Sequence, residues 1–126
     1  MKIHSIHHIK FTVSNLERSK KFYEHILGFK TVAEYSDFIM LTNGYFYLGL
    51  TTHLGKLHER RFKETSVGLD HVSFSVESRQ DLDQSLALLE LEHIPHGDIT
   101  KLSNSLYVLA FRDPDNIQLE LSWKEK

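Results

Sequence analysis

The chain has 126 residues, a length that suits one compact domain. Its formal net charge of −2 argues against a general nucleic-acid-binding protein, which would carry a basic excess. It has no cysteine, which excludes disulfides and thiolate metal sites, and it has no apolar run long enough to span a bilayer. The first residues show no signal-peptide pattern, so we expect a cytoplasmic protein that binds neither nucleic acid nor a membrane.

The first part of the chain predicts a strand, a helix and three more strands. Residues 7–13 alternate apolar and polar side chains, as in a strand with one buried face. The helix has Ser14 or Asn15 as its N-cap, and Gly28 suits the left-handed position just past its end. The Thr-Asn-Gly sequence at 42–44 predicts a tight hairpin between the last two strands. The three strands are expected near residues 30–35, 37–42 and 45–51.

The same pattern returns after a polar and strongly charged segment at residues 52–66, which predicts a connector or a mobile flap. The second helix begins at Ser78, and Asp81 completes a capping-box pattern three residues later. Its end is expected at Ile94 and Pro95, because proline cannot continue a helix. The remaining strands are expected near residues 99–102, 105–111 and 117–122.

The two halves of the chain are copies of one β-α-β-β-β pattern. His-Ile-Lys-Phe-Thr-Val from His8 matches His-Val-Ser-Phe-Ser-Val from His71 at an offset of 63 residues, and the final hairpins match at an offset of 71. The repeat predicts an α+β fold in which two βαβββ modules form one concave cleft within a single domain, residues 1–126. Module one is expected at residues 4–51, the connector at 52–66 and module two at 67–124.

Three side chains fall on the sheet faces that the predicted helices leave uncovered. His8 and His71 open equivalent strands, and Glu120 lies on the last strand between Leu119 and Leu121. An unpaired carboxylate on such a central strand is costly, and a metal ion would remove that cost. Two histidines and one carboxylate suit Fe²⁺, Mn²⁺, Ni²⁺, Co²⁺ or Zn²⁺ and leave coordination positions open for a bidentate substrate. If the uncovered faces line the cleft, His8, His71 and Glu120 form one metal site.

The same faces predict the surface that contacts a small-molecule substrate. Residues that share strand parity with Gly49, the repeat equivalent of Glu120, should face the cleft. By this parity the candidates for substrate binding are Tyr45, Tyr47 and Thr51, and Val108 and Ala110 on the penultimate strand are expected to face the cleft as well. The alternative is that these are only packing residues. Tyr47 could donate a hydrogen bond or a proton, but the sequence assigns no general acid or base.

The connector carries its own charged residues, His53, His58, Arg60 and Arg61. The simpler interpretation is a solvated loop. The alternative is a lid that binds an anionic group of the substrate over the metal.

Four motifs in this order resemble the vicinal oxygen chelate superfamily, which includes glyoxalase I, fosfomycin-resistance proteins, bleomycin-resistance proteins and extradiol dioxygenases. They are His8 before Ile-x-Phe-x-Val, a helix segment at 16–29 ending in Leu-Gly-Phe, Gly-Leu-Asp-His-Val at 68–72, and Phe-Arg-Asp-Pro-Asp-Asn through Glu-Leu at 111–121. The resemblance implies that His8, His71 and Glu120 hold a divalent metal ion. It also implies a homodimer in which paired modules from two chains complete each cleft.

Three positions depart from the patterns of that superfamily. Gly49 stands where glyoxalase I has a fourth ligand, so we do not expect a typical glyoxalase I. Val108 and Ala110 stand where fosfomycin-resistance enzymes have polar residues, which disfavours phosphonate binding. Asn116 stands where the turn commonly has glycine, a mild change because asparagine tolerates positive φ.

Three classes of function stay open on the sequence. The leading one is a small metal-dependent enzyme with dioxygenase, lyase or isomerase chemistry on an oxygen-chelating substrate. The alternative is a metal-free protein that sequesters an antibiotic, as bleomycin-resistance proteins do. The third is a degenerate scaffold with a structural role. Because one scaffold hosts many chemistries, the fold does not choose among them.

Overall fold

The computed structural model describes residues 1–126, which form two compact units, residues 1–60 and 61–126. Each unit has one four-stranded mixed sheet and one helix. This architecture confirms the predicted α+β class and the two βαβββ modules. None of the helices has the length and apolar character that a membrane span requires.

The first unit follows the predicted order of elements, and its sheet has the strand order β1-β4-β3-β2. Strand β1 runs parallel to β4, and the other neighbouring strands are antiparallel. The elements are β1 (His8–Thr12), α1 (Leu16–His25), β2 (Lys30–Glu34), β3 (Phe38–Thr42) and β4 (Tyr47–Thr51), followed by a short 3₁₀ turn (His53–Gly55).

The second unit repeats this topology in a sheet with the strand order β5-β8-β7-β6. Strand β5 runs parallel to β8, so β8 lies inside the sheet with β7 on its other side. The elements are β5 (Val72–Ser75), α2 (Arg79–Leu91), β6 (Thr100–Lys101), β7 (Leu106–Arg112) and β8 (Gln118–Lys124), with a 3₁₀ turn at Ser103–Ser105 before β7.

Both helices begin where the sequence predicts. Of the two candidate caps for α1, the structure selects Asn15, whose side chain accepts the backbone N–H of Arg18 at 2.9 Å. Helix α2 has the complete capping box: the Ser78 hydroxyl accepts the Asp81 N–H, and the Asp81 carboxylate accepts the Ser78 N–H. Gly28 takes the expected left-handed conformation, with φ 72°.

Two boundaries differ from the prediction. Helix α2 ends at Leu91, before the predicted Ile94 and Pro95, because His93 turns the chain with a left-handed φ of 54°. Strand β4 begins at Tyr47 and not at residue 45, because the Asn43 side chain accepts the backbone N–H groups of the next two residues after Gly44. The predicted tight hairpin is therefore a longer loop that keeps residues 45 and 46 out of the sheet.

The alternation of buried and exposed side chains follows the predicted faces. Phe11 and Val13 are only 4% and 1% exposed, whereas His8 and Lys10 are exposed on the opposite face of β1. Burying a side chain the size of Phe11 stabilises the folded state by about 1.5–3 kcal/mol. The apolar parity of each strand therefore fixes which side chains remain on the uncovered face.

Candidate functional site

Two of the three predicted metal ligands lie together in the second unit. Strand β5 pairs in parallel with β8, and the register sets Ser73 opposite Glu120. His71 immediately precedes β5, so its ring reaches the same face as Glu120. The His71 Nε2 atom lies 3.8 Å from Glu120 Oε1. The Glu120 side chain is 18% exposed, between the buried Leu119 and Leu121.

The other ring nitrogen of His71 is held by the residue before it. His71 Nδ1 lies 2.7 Å from Asp70 Oδ1. An ionised carboxylate only accepts hydrogen bonds, so Nδ1 must carry the proton. In the neutral ring, Nε2 then keeps its lone pair, and this nitrogen is the one that lies 3.8 Å from Glu120 Oε1. A carboxylate on one imidazole nitrogen and a free lone pair on the other is the usual arrangement of a metal-binding histidine.

The spacing and chemistry of this pair fit a divalent ion. A neutral Nε2 and an ionised carboxylate oxygen are both acceptors, and at 3.8 Å they gain nothing from each other without a proton or a cation. Two metal bonds of ~2.0–2.2 Å to a histidine nitrogen and a carboxylate oxygen would span this separation. Neither unit by itself brings three His, Asp or Glu side chains together as a metal site.

The third predicted ligand, His8, lies in the first unit. It opens β1 and pairs in register with Tyr47 of the parallel strand β4. Its Nδ1 lies 2.9 Å from His7 Nδ1, and the two imidazole rings meet edge to face. His8 is exposed on the face of its own sheet that α1 leaves uncovered, the position that the repeat gives to His71 in the second sheet.

The repeat equivalent of Glu120 is filled in a different way in the first unit. Gly49 pairs with Lys10 on β1, and a Cβ added to it would lie 2.9 Å from Phe38 Cε2 and 3.1 Å from Lys10 Cγ. The Lys10 ammonium lies 4.3 Å from the centre of the Phe38 ring, a cation-π contact. The space beside Gly49 is therefore occupied by the side chains of Lys10 and Phe38.

The predicted substrate-binding residues have different environments. Val108 and Ala110 pair with Ser122 and Glu120, so they share the face of Glu120, and Val108 is buried. Tyr47 is 42% exposed beside His8 in the β1–β4 register. Together, Val108 and Ala110 give the second unit an apolar surface next to the candidate ligand Glu120.

The remaining two candidates, Tyr45 and Thr51, differ in position and in exposure. Tyr45 is 87% exposed but lies in the β3–β4 loop, outside strand β4 and its alternation of faces. Thr51 is buried, and its hydroxyl donates to Asp37 Oδ2 at 3.3 Å. Hydrogen bonds from Thr52, chiefly from its hydroxyl, lower the pKa of Asp37 despite the opposing effect of burial.

The connector makes hydrogen bonds within each unit. In the first unit, His53 Nε2 lies 3.0 Å from the Thr12 hydroxyl on the uncovered face of β1. In the second unit, the Phe62 N–H donates to the Asp115 carbonyl at 2.8 Å, and the Phe62 carbonyl accepts the Asn116 side-chain amide at 2.9 Å. The end of the connector is thereby fixed to the turn between β7 and β8.

Sequence reasoning did not identify Asp70 or Glu64 as site residues. Glu64 forms two hydrogen bonds with the Arg112 guanidinium, at 2.9 and 2.8 Å, and this pairing lowers the pKa of Glu64 to about 2. Asp70 was visible in the sequence as the residue before His71 in Gly-Leu-Asp-His-Val. No local pattern links Glu64 to Arg112, because these residues are 48 positions apart.

Comparison with known proteins places this architecture among described families. The sequence model of the Glyoxalase/Bleomycin resistance protein/Dioxygenase superfamily matches residues 5–121. Two Bacillus subtilis proteins are similar over nearly their whole length: YwkD is 32% identical, covering 96% of this chain and 98% of its own, and YqjT is 29% identical, covering 92% and 96%. A crystal structure of a glyoxylase/bleomycin resistance protein/dioxygenase domain from Frankia sp. EAN1pec is 31% identical with a TM-score of 0.86, covering 99% of this chain and 95% of that one.

Proposed function

Because this chain belongs to the Glyoxalase/Bleomycin resistance protein/Dioxygenase superfamily, we propose that it is a small metal-dependent enzyme acting on an oxygen-chelating substrate. The main observation in support of this function is that His71 lies between two carboxylates. Asp70 holds Nδ1, and Nε2 lies 3.8 Å from Glu120 Oε1. A histidine with a purely structural role needs only one hydrogen-bond partner. A metal-ligating histidine needs a partner on one ring nitrogen and a lone pair available to the metal on the other.

The proposed ligands are His8, His71 and Glu120, and the proposed ion is Fe²⁺, Mn²⁺, Ni²⁺, Co²⁺ or Zn²⁺. Nitrogen and carboxylate donors suit these ions. His8 enters the proposal through the repeat, since it stands at the position of His71 in the first module. When bound, the ion would supply Lewis-acid chemistry at two adjacent oxygen atoms of the substrate, because three protein ligands leave positions open.

The chain's own residues would select the rest of the substrate. Val108 and Ala110 border Glu120 with apolar surface, which excludes water from that side and favours an apolar group of the substrate there. The exposed phenol of Tyr47 would donate a hydrogen bond to a substrate held near His8. The blocked Gly49 position argues against the ligand set of a typical glyoxalase I, leaving dioxygenase, lyase or isomerase chemistry.

Superfamily members are typically dimeric and bind small molecules, and we extend the proposal to a homodimer with a small-molecule substrate. Metal-free sequestration of an antibiotic is the competing function. That function does not require the Asp70–His71–Glu120 arrangement, and it predicts that substitution of His71 leaves ligand binding intact.

The test is a calorimetric titration of each divalent ion into metal-free protein. We expect one ion per chain for the wild type, and we expect His8→Ala, His71→Ala and Glu120→Gln each to lose more than the ~10–100-fold in affinity typical of outer-shell substitutions. His4→Ala, in the exposed N-terminal segment, is the matched histidine control and should bind as the wild type does. Wild-type affinity in the His71→Ala variant would overturn the proposal.

A further inference from the structure

A chain of hydrogen bonds connects His71 to the end of the connector. We define the Arg112 network as Glu64, Arg112, Gln118 and Asp70. Arg112 donates to both Glu64 oxygens and, through Nη2, to Gln118 Oε1 at 3.0 Å. Gln118 Nε2 donates to Asp70 Oδ1 at 2.9 Å. The same Asp70 oxygen accepts His71 Nδ1–H at 2.7 Å.

The directions of the two bonds that Gln118 makes follow from the charge of Arg112. A guanidinium only donates, so the Gln118 carbonyl oxygen must face it, and the Gln118 amide nitrogen must then face Asp70. Asp70 accepts from that amide and from His71. The guanidinium therefore fixes the orientation of the Gln118 amide, and that amide holds the carboxylate that accepts the His71 Nδ1–H.

Asp70 needs the hydrogen bond from Gln118 because it lies at an exposed position. Its side chain is 65% exposed, and an exposed carboxylate contributes little order by itself. Arg112 and Glu64 are only 25% and 31% exposed, and their two-bond pairing gives the network a firm end. Gln118 links the Glu64–Arg112 pair to the exposed Asp70.

Resting on the metal site proposed above, we infer that Gln118, anchored by Arg112 and Glu64, is a positioning residue that holds Asp70 so that His71 keeps its Nδ1–H tautomer and presents Nε2 to the metal. Gln118 is not itself a proposed metal ligand, and it acts on His71 only through Asp70. The connector residue Glu64 would thus influence the ligand without approaching it.

The test uses the imidazole nitrogen resonances of His71 in the metal-free protein, at a pH where the ring is neutral. Gln118→Met keeps the length of the side chain and removes the amide. Gln118→Glu keeps an acceptor for Arg112 but replaces the donor to Asp70 with a second carboxylate. Gln80→Met, on the exposed surface of α2, makes the same substitution outside the network.

We expect the Nδ1–H tautomer alone in the wild type and in Gln80→Met, and a mixture with the Nε2–H tautomer in both Gln118 variants. The dissociation constant of the metal should rise about 10-fold in the Gln118 variants, the low end for outer-shell groups. A pure Nδ1–H tautomer and unchanged metal affinity in Gln118→Met and Gln118→Glu would overturn the inference.

The tautomer measurement separates this inference from the proposed function, because it needs no metal. A wild type that binds no ion would overturn the metal site. A change of the His71 tautomer in the Gln118 variants would still support the control that the network exerts on the ring. If Gln118→Met does not fold, Gln118→Glu retains the bond from Arg112 and provides the same readout.

Discussion

Single residues explain why the two copies of the repeat present different groups at equivalent positions. Glu120 brings a carboxylate to 3.8 Å from His71, whereas its repeat equivalent is Gly49, covered by Lys10 and Phe38. The parity of the strands was sufficient to predict that Glu120 and His71 share a face. It could not predict that neighbouring side chains fill the space beside Gly49, because that depends on rotamers across three strands.

The covered glycine gives a prediction about stability. We expect Gly49→Ala to destabilise the fold, because its Cβ would lie 2.9 Å from a Phe38 ring that is itself stacked on Tyr35 and covered by Lys10. Overpacking costs about 1–3 kcal/mol, and the lower chain entropy of alanine returns about 0.5–1 kcal/mol, so the net loss should be about 1 kcal/mol. Denaturant unfolding measures it.

A double variant provides the control for this prediction. Gly49→Ala combined with Phe38→Leu removes the ring that blocks the new Cβ, so the two substitutions should cost less together than the sum of their separate effects. Purely additive effects would show that Phe38 does not restrict position 49.

At the scale of elements, the turn between β7 and β8 organises the second unit. Asp113 Oδ1 accepts the N–H groups of Asp115 and Ile117, both at 2.8 Å, and Asn116 takes a left-handed φ of 68°. The sequence predicted the turn and the tolerance of asparagine there. It did not predict that the Asn116 amide donates to the Phe62 carbonyl, a contact that the more common glycine could not make.

The Glu64–Arg112 pair, which holds the connector to this turn, gives a prediction about pH. The pKa of Glu64 falls from 4.5 to about 2 in the folded protein, so the fold favours its ionised form. The stabilisation is then fully present above pH 4.5 and is lost as the pH falls toward 2. Glu64→Gln should be less stable than the wild type at neutral pH, and the difference should vanish near pH 2.

Denaturant unfolding between neutral pH and pH 2 tests this pair. Glu90→Gln, exposed on α2, is the matched control and should show no such pH-dependent difference from the wild type. A difference between Glu64→Gln and the wild type that persists unchanged to pH 2 would show that the carboxylate charge of Glu64 is not what stabilises the pair.

At the scale of the whole molecule, the internal repeat was the most informative feature of the sequence. The match between His8–Val13 and His71–Val76 gave the β-α-β-β-β order of both units, and hydrophobic alternation gave their buried faces. The outer parts of the site were not predictable, because the links from Glu64 to Arg112 and from Gln118 to Asp70 join residues 48 positions apart. Such pairings leave no periodic signal in a single sequence.

The central proposal concerns the second copy of the repeat. We propose that a divalent ion binds at His71, which is hydrogen-bonded to Asp70 and lies 3.8 Å from Glu120. The most direct test is the metal content of protein purified without chelators, for the wild type and His71→Ala side by side. We expect close to one equivalent of a divalent ion in the wild type and far less in the variant. No metal in either protein, with no thermal shift on adding Fe²⁺, Mn²⁺, Ni²⁺, Co²⁺ or Zn²⁺, would contradict the claim and favour metal-free ligand binding.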